Sequence, residues 1–122
     1  MIVAGFGCRA GATAGSLRAA LVVASEGHIA TMLAIPADRL GIARPLADAL
    51  DLPLVGIAAD TLAAIATPTR SPASLAARGT GSIAEAAALA AAGPGARLLT
   101  SRRISPDRMA TCALAIPQEL PA

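Results

Sequence analysis

The sequence predicts an α/β fold, a three-layer α/β/α sandwich on a mixed sheet of about five strands. Two observations lead to this class. Short apolar runs alternate with helical segments through the first half of the chain, which is typical of parallel strands joined by crossover helices. The last two apolar runs flank the turn residues "SPD", which predicts a C-terminal antiparallel hairpin. With 122 residues and no clear linker, the chain is predicted to be a single domain, 1–122.

The first half contains three predicted strands, each followed by a helix. Met1–Phe6 forms the first strand, and Thr13 or Ser16 caps the helix that runs through "SLRAALVVAS". The second strand is "HIATMLAIP", and the helix after it is limited to Arg44–Leu50, because its proline is tolerated only near a first turn. The third strand is "LPLVGIAA", after which Asp60 caps a short helix.

The second half begins with a Pro-, Ser- and Thr-rich stretch, "TPTRSP". Within it, Ser71 followed by proline predicts an N-cap and a short helix. Ser82 and Glu85 have the spacing of a capping box, which opens a helix that ends at Gly93. The runs "ARLLTSRRI" and "RMATCALAIP" are the two strands of the hairpin.

Composition excludes several classes of function. A net charge of +2 and an aromatic content of 1% disfavour nucleic-acid binding, which needs a basic stripe or aromatic platforms. No apolar run reaches the ~18 residues needed to span a bilayer, and no basic segment precedes an apolar one at the N-terminus. The two cysteines lack metal-ligand spacing. We therefore expect a cytoplasmic protein without membrane contact, bound metal or cofactor.

The stretch "GFGCRAG" lies between the first strand and the first helix and has two interpretations. Gly5, Gly7 and Gly11 are spaced two and then four apart, unlike the dinucleotide-binding fingerprint, and the chain has no lysine for a Walker loop. The glycines either form a tight turn or present N–H groups and Arg9 to an anion. Cys8 is either a small residue in that turn or a thiol activated by the helix end and Arg9.

Two further groups of polar residues follow the strands. Thr67 and Ser71 either cap a helix or form a second anion site, because loops after parallel strands gather at one edge of the sheet. Ser82 and Glu85 are explained by the capping box, and Glu85 as a general base is the alternative.

Several motifs together resemble a known family. "GFGCRAG", "DLPLVGIAADTL", "TPTRSP", "GTGSIAEAAALAAAG" and "LLTSRR" occur in this order. They resemble the C-terminal part of the CbiG family of cobalamin biosynthesis, whose free-standing version is called CobE. The resemblance covers essentially the whole chain. Because nothing precedes the first strand, the sequence is similar to the free-standing form, which belongs to the aerobic branch of the pathway.

The resemblance implies a role in making the corrin ring, and it leaves three alternatives. The first is binding of an anionic tetrapyrrole, a corrin intermediate with many carboxylates, as a carrier or accessory factor. The second is hydrolysis of a precorrin lactone with release of acetaldehyde, in which Glu85 or another carboxylate activates water. The third is docking on other enzymes of the pathway.

The predicted ligand-binding residues come from the glycine-rich loop, the "TPTRSP" stretch, the capping box and the hairpin: Gly7, Cys8, Arg9, Gly11, Thr67, Ser71, Glu85 and Arg102. The family pattern has lysines where this chain has Arg39 and Arg102, which retains charge but not a group able to act as a neutral amine. This departure favours binding over catalysis.

Overall fold

The computed structural model describes residues 1–70 and 82–118, and within these ranges five strands and four helices are found. The strands are β1 (Val3–Cys8), β2 (Met32–Pro36), β3 (Leu54–Ile57), β4 (Arg97–Ile104) and β5 (Ala110–Ile116). The helices are α1 (Ala14–Ser25), α2 (Leu40–Leu50), α3 (Ala59–Ala64) and α4 (Ile83–Ala92). None of the helices in these ranges has the length and apolar character needed to cross a membrane.

All five strands form one mixed sheet in the order β3-β2-β1-β5-β4. The first three strands are parallel, while β5 is antiparallel to both β1 and β4. The mixed sheet and the C-terminal hairpin are therefore confirmed. The C-terminal ends of β1, β2 and β3 lie at one edge of the sheet, which we call the carboxyl edge. Because β4 runs parallel to β1, the β4–β5 turn lies at the same edge.

Helices cover both faces of the sheet, as the three-layer prediction requires. On one face, α1 and α2 bury residues such as Leu17 and Leu46 against Phe6 of β1. On the other face, α3 and α4 pack against Val3 and Ala34. The buried surface that α4 turns to the sheet consists largely of alanines, and these small side chains allow the helix backbone to lie close to the sheet.

Several predicted boundaries were wrong, and the second strand begins at Met32, four residues after the start of "HIATMLAIP". The first strand begins and ends two residues later than Met1–Phe6. Helix α2 begins at Leu40, after a 3-10 turn, and includes Pro45 in its interior. Both Pro45 and Gly41 are exposed, so the hydrogen bond that the proline removes lies on the solvent side of the helix. Asp60 is not the N-cap of α3, since it lies inside the first turn and its carboxylate accepts the N–H of Thr61.

The caps of α1 and α4 agree with local sequence. Thr13 is the N-cap of α1, and it forms a reciprocal capping box with Ser16, which occupies the position usually held by Glu or Gln. Ser82 caps α4, and the helix ends at Gly93 with φ of 100°. The short helix predicted to follow Ser71 lies outside the described residues.

Candidate functional site

The candidate site is the carboxyl edge of β1, where both a loop and a helix N-terminus meet the strand. Gly7 is buried opposite the first residue of α4: a Cβ atom on Gly7 would lie 2.9 Å from Oγ1 of Thr111 and 3.1 Å from Cβ of Ile83. The Thr111 hydroxyl donates a hydrogen bond of 3.3 Å to the Gly7 carbonyl. Gly7 is therefore needed for the close packing of α4 on β1.

Residues 9–12, which we call the Arg9 loop, connect β1 to the cap of α1. The backbone N–H of Arg9 donates to the Met109 carbonyl at 2.9 Å, and that of Ala12 donates to the Arg9 carbonyl at 3.0 Å. The N–H of Thr13 donates to the Ser16 hydroxyl. These three N–H groups are bound within the protein, which agrees with the interpretation of the loop as a tight turn and not with that of a loop of open N–H donors. The Arg9 residue itself is exposed.

The two cysteines differ in their surroundings. Cys8 is half-buried at the end of β1, where it packs against the core beneath α1. Cys112 is fully buried in β5, and burial raises the pKa of its thiol because the thiolate would be desolvated. Cys112 is therefore a core residue.

Glu85 is fully buried in the first turn of α4, and it joins three segments of the chain. Its Oε1 accepts hydrogen bonds from the Thr69 N–H at 3.0 Å and the Thr69 hydroxyl at 2.9 Å. Its Oε2 accepts the Arg102 N–H at 2.9 Å. The carboxylate therefore binds protein donors on both oxygens, which is the arrangement of a structural group.

The capping box at the start of α4 is only half formed. The Ser82 hydroxyl accepts the Glu85 N–H at 3.3 Å, as predicted. The Glu85 carboxylate binds Thr69 and Arg102 instead of the Ser82 N–H. The prediction that Ser82 and Glu85 cap each other was therefore wrong for the Glu85 side chain. The Arg102 N–H lies in a bulge of the edge strand β4: Thr100 pairs with Leu114 and Arg103 with Cys112, so two residues of β4 oppose one of β5.

The predicted site residues fall into two groups at the carboxyl edge. Thr67 and Arg102 lie with Glu85 at the start of α4, since the Thr67 hydroxyl donates to the Thr69 carbonyl at 2.9 Å. Arg9 and Gly11 lie next to α1 and the β4–β5 turn. Gly7 and Cys8 end the strand between the two groups. Ser71 lies outside the described residues.

One residue with a structural part in this site was missed by the sequence analysis. Asp107, in the turn between β4 and β5, accepts the Ser16 hydroxyl at 2.7 Å in the first turn of α1. It also accepts the Ser105 hydroxyl and, at 3.0 Å, the Met109 N–H. An internal carboxylate therefore lies at the helix end where the sequence had suggested an external anion. The only local signal was "SPD" as a turn, and nothing in the sequence marks a contact across 91 residues.

Stability should depend on pH through Asp107. Hydrogen bonds from Ser105, Ser16 and the Met109 N–H hold the pKa of its carboxyl below the usual value of 3.8. Because the pKa is lower in the folded state, ionised Asp107 stabilises the folded protein. This contribution to the free energy of unfolding is complete above pH 3.8, and it is lost as the pH falls through the folded-state pKa. We expect Asp107→Asn to lower Tm at neutral pH, with a smaller difference from the wild type at lower pH.

Thermal melts followed by circular dichroism at neutral pH and below pH 3.8 check this expectation. Asp48→Asn, at an exposed position of α2, is the control and should show little difference at any pH. A Tm difference for Asp107→Asn that stays constant across this pH range would contradict the assignment.

With the site's geometry established, comparison with known proteins decides the family. The family profile described as "Cobalamin synthesis G C-terminus" matches residues 2–115. The chain belongs to this family. The family is one of cobalamin biosynthesis, and the predicted relationship is confirmed. A search of curated protein sequences gives no match to the chain.

Two solved structures are similar to the chain in sequence and fold, and a third is similar in fold. CobE, a protein from the cobalamin (vitamin B12) biosynthetic pathway, is 34% identical with a TM-score of 0.81, over 94% of this chain and 89% of CobE. The cobalamin biosynthesis protein chiG of Agrobacterium tumefaciens is also 34% identical, with a TM-score of 0.74 over 98% of this chain and all of that one. A larger protein of Sulfolobus solfataricus shares the fold at 17% identity, with a TM-score of 0.72 over 96% of this chain and 37% of its own.

In this member of the cobalamin synthesis family, arginines are the cationic groups at the carboxyl edge. Arg9 is in the loop after β1, Arg70 directly follows Thr69, and Arg102 and Arg108 belong to the hairpin. Within the described part of this edge, the acids Glu85 and Asp107 each bind hydroxyl and N–H donors. The guanidinium groups are therefore the groups suited to binding carboxylates of a ligand.

Proposed function

We propose that the chain binds a carboxylate-rich corrin intermediate at the carboxyl edge of β1, as a carrier or accessory protein of cobalamin biosynthesis. The observation that carries the proposal is the position of Arg9. Arg9 is exposed, and its backbone N–H donates a hydrogen bond to Met109. No carboxylate in residues 1–70 or 82–118 forms an ion pair with its guanidinium group. A guanidinium group on an anchored loop suits bidentate binding of a carboxylate.

Membership of the family supplies the ligand class, and the arrangement of acids supports binding by guanidinium groups. Because Glu85 and Asp107 each bind protein donors at the two helix N-termini, these helix ends contribute less to an external anion than the sequence suggested. Arg9, Arg102 and their neighbours then provide most of the attraction. A corrin intermediate carries several acetate and propionate groups, which several separate arginines can meet at once.

The alternative of lactone hydrolysis receives less support from the geometry. A general base must have an oxygen within reach of the water that it activates. Both oxygens of Glu85 bind protein donors, and the residue is fully buried. Glu85 therefore suits a structural role better than that of the base.

An absorbance titration tests the proposal. Hydrogenobyrinic acid, a coloured late corrinoid, is titrated with the wild-type protein, with Arg9→Ala and with Arg97→Ala. We expect saturable binding by the wild type and a dissociation constant about tenfold higher for Arg9→Ala, the effect of losing one charge-assisted contact. Arg97→Ala is the matched control, because Arg97 is exposed at the start of β4, at the opposite edge of the sheet.

The outcomes separate the alternatives. Absence of binding by the wild type would contradict the carrier proposal for this ligand, and an equal loss in both variants would show that only net charge matters. Release of acetaldehyde from a lactone-bearing precursor would favour the hydrolase instead. Binding that requires a second pathway protein and is unchanged in Arg9→Ala would favour a docking role.

A further inference from the structure

The turn between β4 and β5 is held in one conformation by Asp107. We call residues 105–109 the hairpin tip. Within it, the Asp107 carboxylate accepts the Ser105 hydroxyl and the Met109 N–H, and the Ser105 hydroxyl in turn accepts the Ala110 N–H at 3.1 Å. Arg108 lies between them with φ of 60°, in the left-handed region that a non-glycine residue adopts only when its surroundings enforce it. The hairpin tip is thus a compact unit organised around one carboxylate.

This unit connects α1 to the Arg9 loop. On one side, Asp107 accepts the Ser16 hydroxyl at 2.7 Å, which ties the hairpin tip to the first turn of α1. On the other side, the Met109 carbonyl accepts the Arg9 N–H at 2.9 Å. The terminal methyl of Met109 also covers Gly11, since a Cβ atom there would lie 3.3 Å from it. The hairpin tip therefore contacts the Arg9 loop at Arg9 and at Gly11.

One backbone hydrogen bond joins the Arg9 loop to the hairpin tip. The other backbone hydrogen bond found in the loop joins the Ala12 N–H to the Arg9 carbonyl and lies within the loop itself. The bond to Met109 attaches Arg9 to the rest of the protein, and Asp107 fixes the Met109 backbone through its N–H. Without Asp107 the loop would sample more conformations, and a ligand would have to order it on binding.

We propose that Asp107 is a positioning residue for ligand binding, which holds Arg9 in place through the hairpin tip without touching the ligand. The proposal rests on the proposed function in one respect, namely that Arg9 binds a carboxylate of the ligand. It adds a residue whose contribution to affinity passes entirely through Arg9. The affinities of single and double variants measure that dependence directly.

The experiment is a double-mutant cycle with hydrogenobyrinic acid as the probe. The wild type, Arg9→Ala, Asp107→Ala and the double variant are titrated at a temperature at which circular dichroism shows all four to be folded. We expect Asp107→Ala to raise the dissociation constant about three- to tenfold, the range expected for ordering one side chain and its loop on binding. In the Arg9→Ala background, Asp107→Ala should raise the dissociation constant by less than about twofold.

Two further variants distinguish positioning from a general loss of structure. Asp107→Asn keeps an oxygen for the Met109 N–H and should restore part of the affinity that Asp107→Ala loses. Asp48→Ala, at an exposed position of α2, should bind like the wild type. An equal loss in both Arg9 backgrounds would overturn the proposal, as would wild-type affinity in a folded Asp107→Ala protein.

A measurement without ligand keeps this test separate from the proposed function. Amide hydrogen exchange at Arg9 should be faster in Asp107→Ala than in the wild type, because the Arg9 N–H bond to Met109 would open more often. If exchange is unchanged, the positioning role fails even where the protein binds the corrinoid. If exchange is faster but the wild type does not bind, the proposed function fails while the mechanical link between Asp107 and Arg9 stands.

Discussion

Replacing Glu85 with glutamine is expected to lower the free energy of unfolding by about 2–4 kcal/mol, because hydrogen bonds to a buried charged group contribute about 1.5–3 kcal/mol each. From residues 1–70 and 82–118 the carboxylate accepts three hydrogen bonds, two from Thr69 and one from the Arg102 N–H. Glutamine has one carbonyl oxygen, so its NH2 group would face a donor at one of these two places. One buried N–H would lose its partner while the size of the side chain stays the same.

Urea unfolding followed by far-UV circular dichroism measures this loss, and it suits a chain without tryptophan or tyrosine. Glu26→Gln is the matched control. Glu26 forms an ion pair with Arg103 at 3.1 Å, but both side chains are well exposed, at 51% and 38%. Its replacement should cost less than about 1 kcal/mol. Similar losses in the two variants would contradict the structural role assigned to Glu85.

The order of strands and helices could be predicted because each element carries its own local signal. The N-cap at Ser82, the stop at Gly93 and the hairpin around "SPD" are marked by residues within a few positions of the boundary. The start of α2 was predicted too late because the rule against interior proline assumes that the lost hydrogen bond is costly. At Pro45 it lies on an exposed face, and the cost is small enough for the helix to include it.

The partners of the site residues could not be predicted in the same way. Glu85 binds Thr69 and Arg102, which are 16 and 17 positions away along the chain, and the second bond is made at a bulge in β4. A bulge changes the register of a strand without an obvious residue pattern in this sequence. The capping-box spacing correctly located the start of α4, but it could not show that the carboxylate would reach past Ser82 to two other segments.

The location of Arg9 was predictable from the strand–loop–helix pattern, whereas the bonding of its loop was not. The N–H groups of Arg9 and Thr13 donate hydrogen bonds to the Met109 carbonyl and the Ser16 hydroxyl. The carboxylate of Asp107 lies at the N-terminus of α1. A sequence pattern can indicate that donors are present near an edge. Whether the protein itself uses those donors depends on contacts across the whole chain.

Replacing Gly5 with alanine is expected to have an effect as large as that at Glu85, for a different physical reason. Gly5 is buried in β1 directly beneath α4. A Cβ atom there would overlap the backbone carbonyl of Ala84 and the backbone nitrogen of Ala88, and would lie 2.7 Å from Cβ of Ala88. Backbone atoms within a helix cannot turn aside as a flexible side chain can, so the whole helix must move away from the strand.

That movement would disturb the candidate site as well as the core. The first turn of α4 packs on Gly7 and carries Glu85, so displacing the helix also strains the bonds to Thr69 and Arg102. We expect Gly5→Ala to lower the free energy of unfolding by about 3 kcal/mol, at the upper end of the usual cost of overpacking. The folded Gly5→Ala protein should also bind the corrinoid with lower affinity than the wild type.

The same substitution at Gly41 gives a control with the opposite sign. Gly41 lies in the first turn of α2, is exposed, and has no atom within 4 Å of the position that a Cβ would take. Alanine there should raise the free energy of unfolding by about 0.5–1 kcal/mol, since it favours the helix and restricts the unfolded chain. If urea unfolding shows Gly5→Ala to be as stable as Gly41→Ala, the close approach of α4 to β1 is wrong. Opposite signs would show that one glycine serves packing while the other is dispensable.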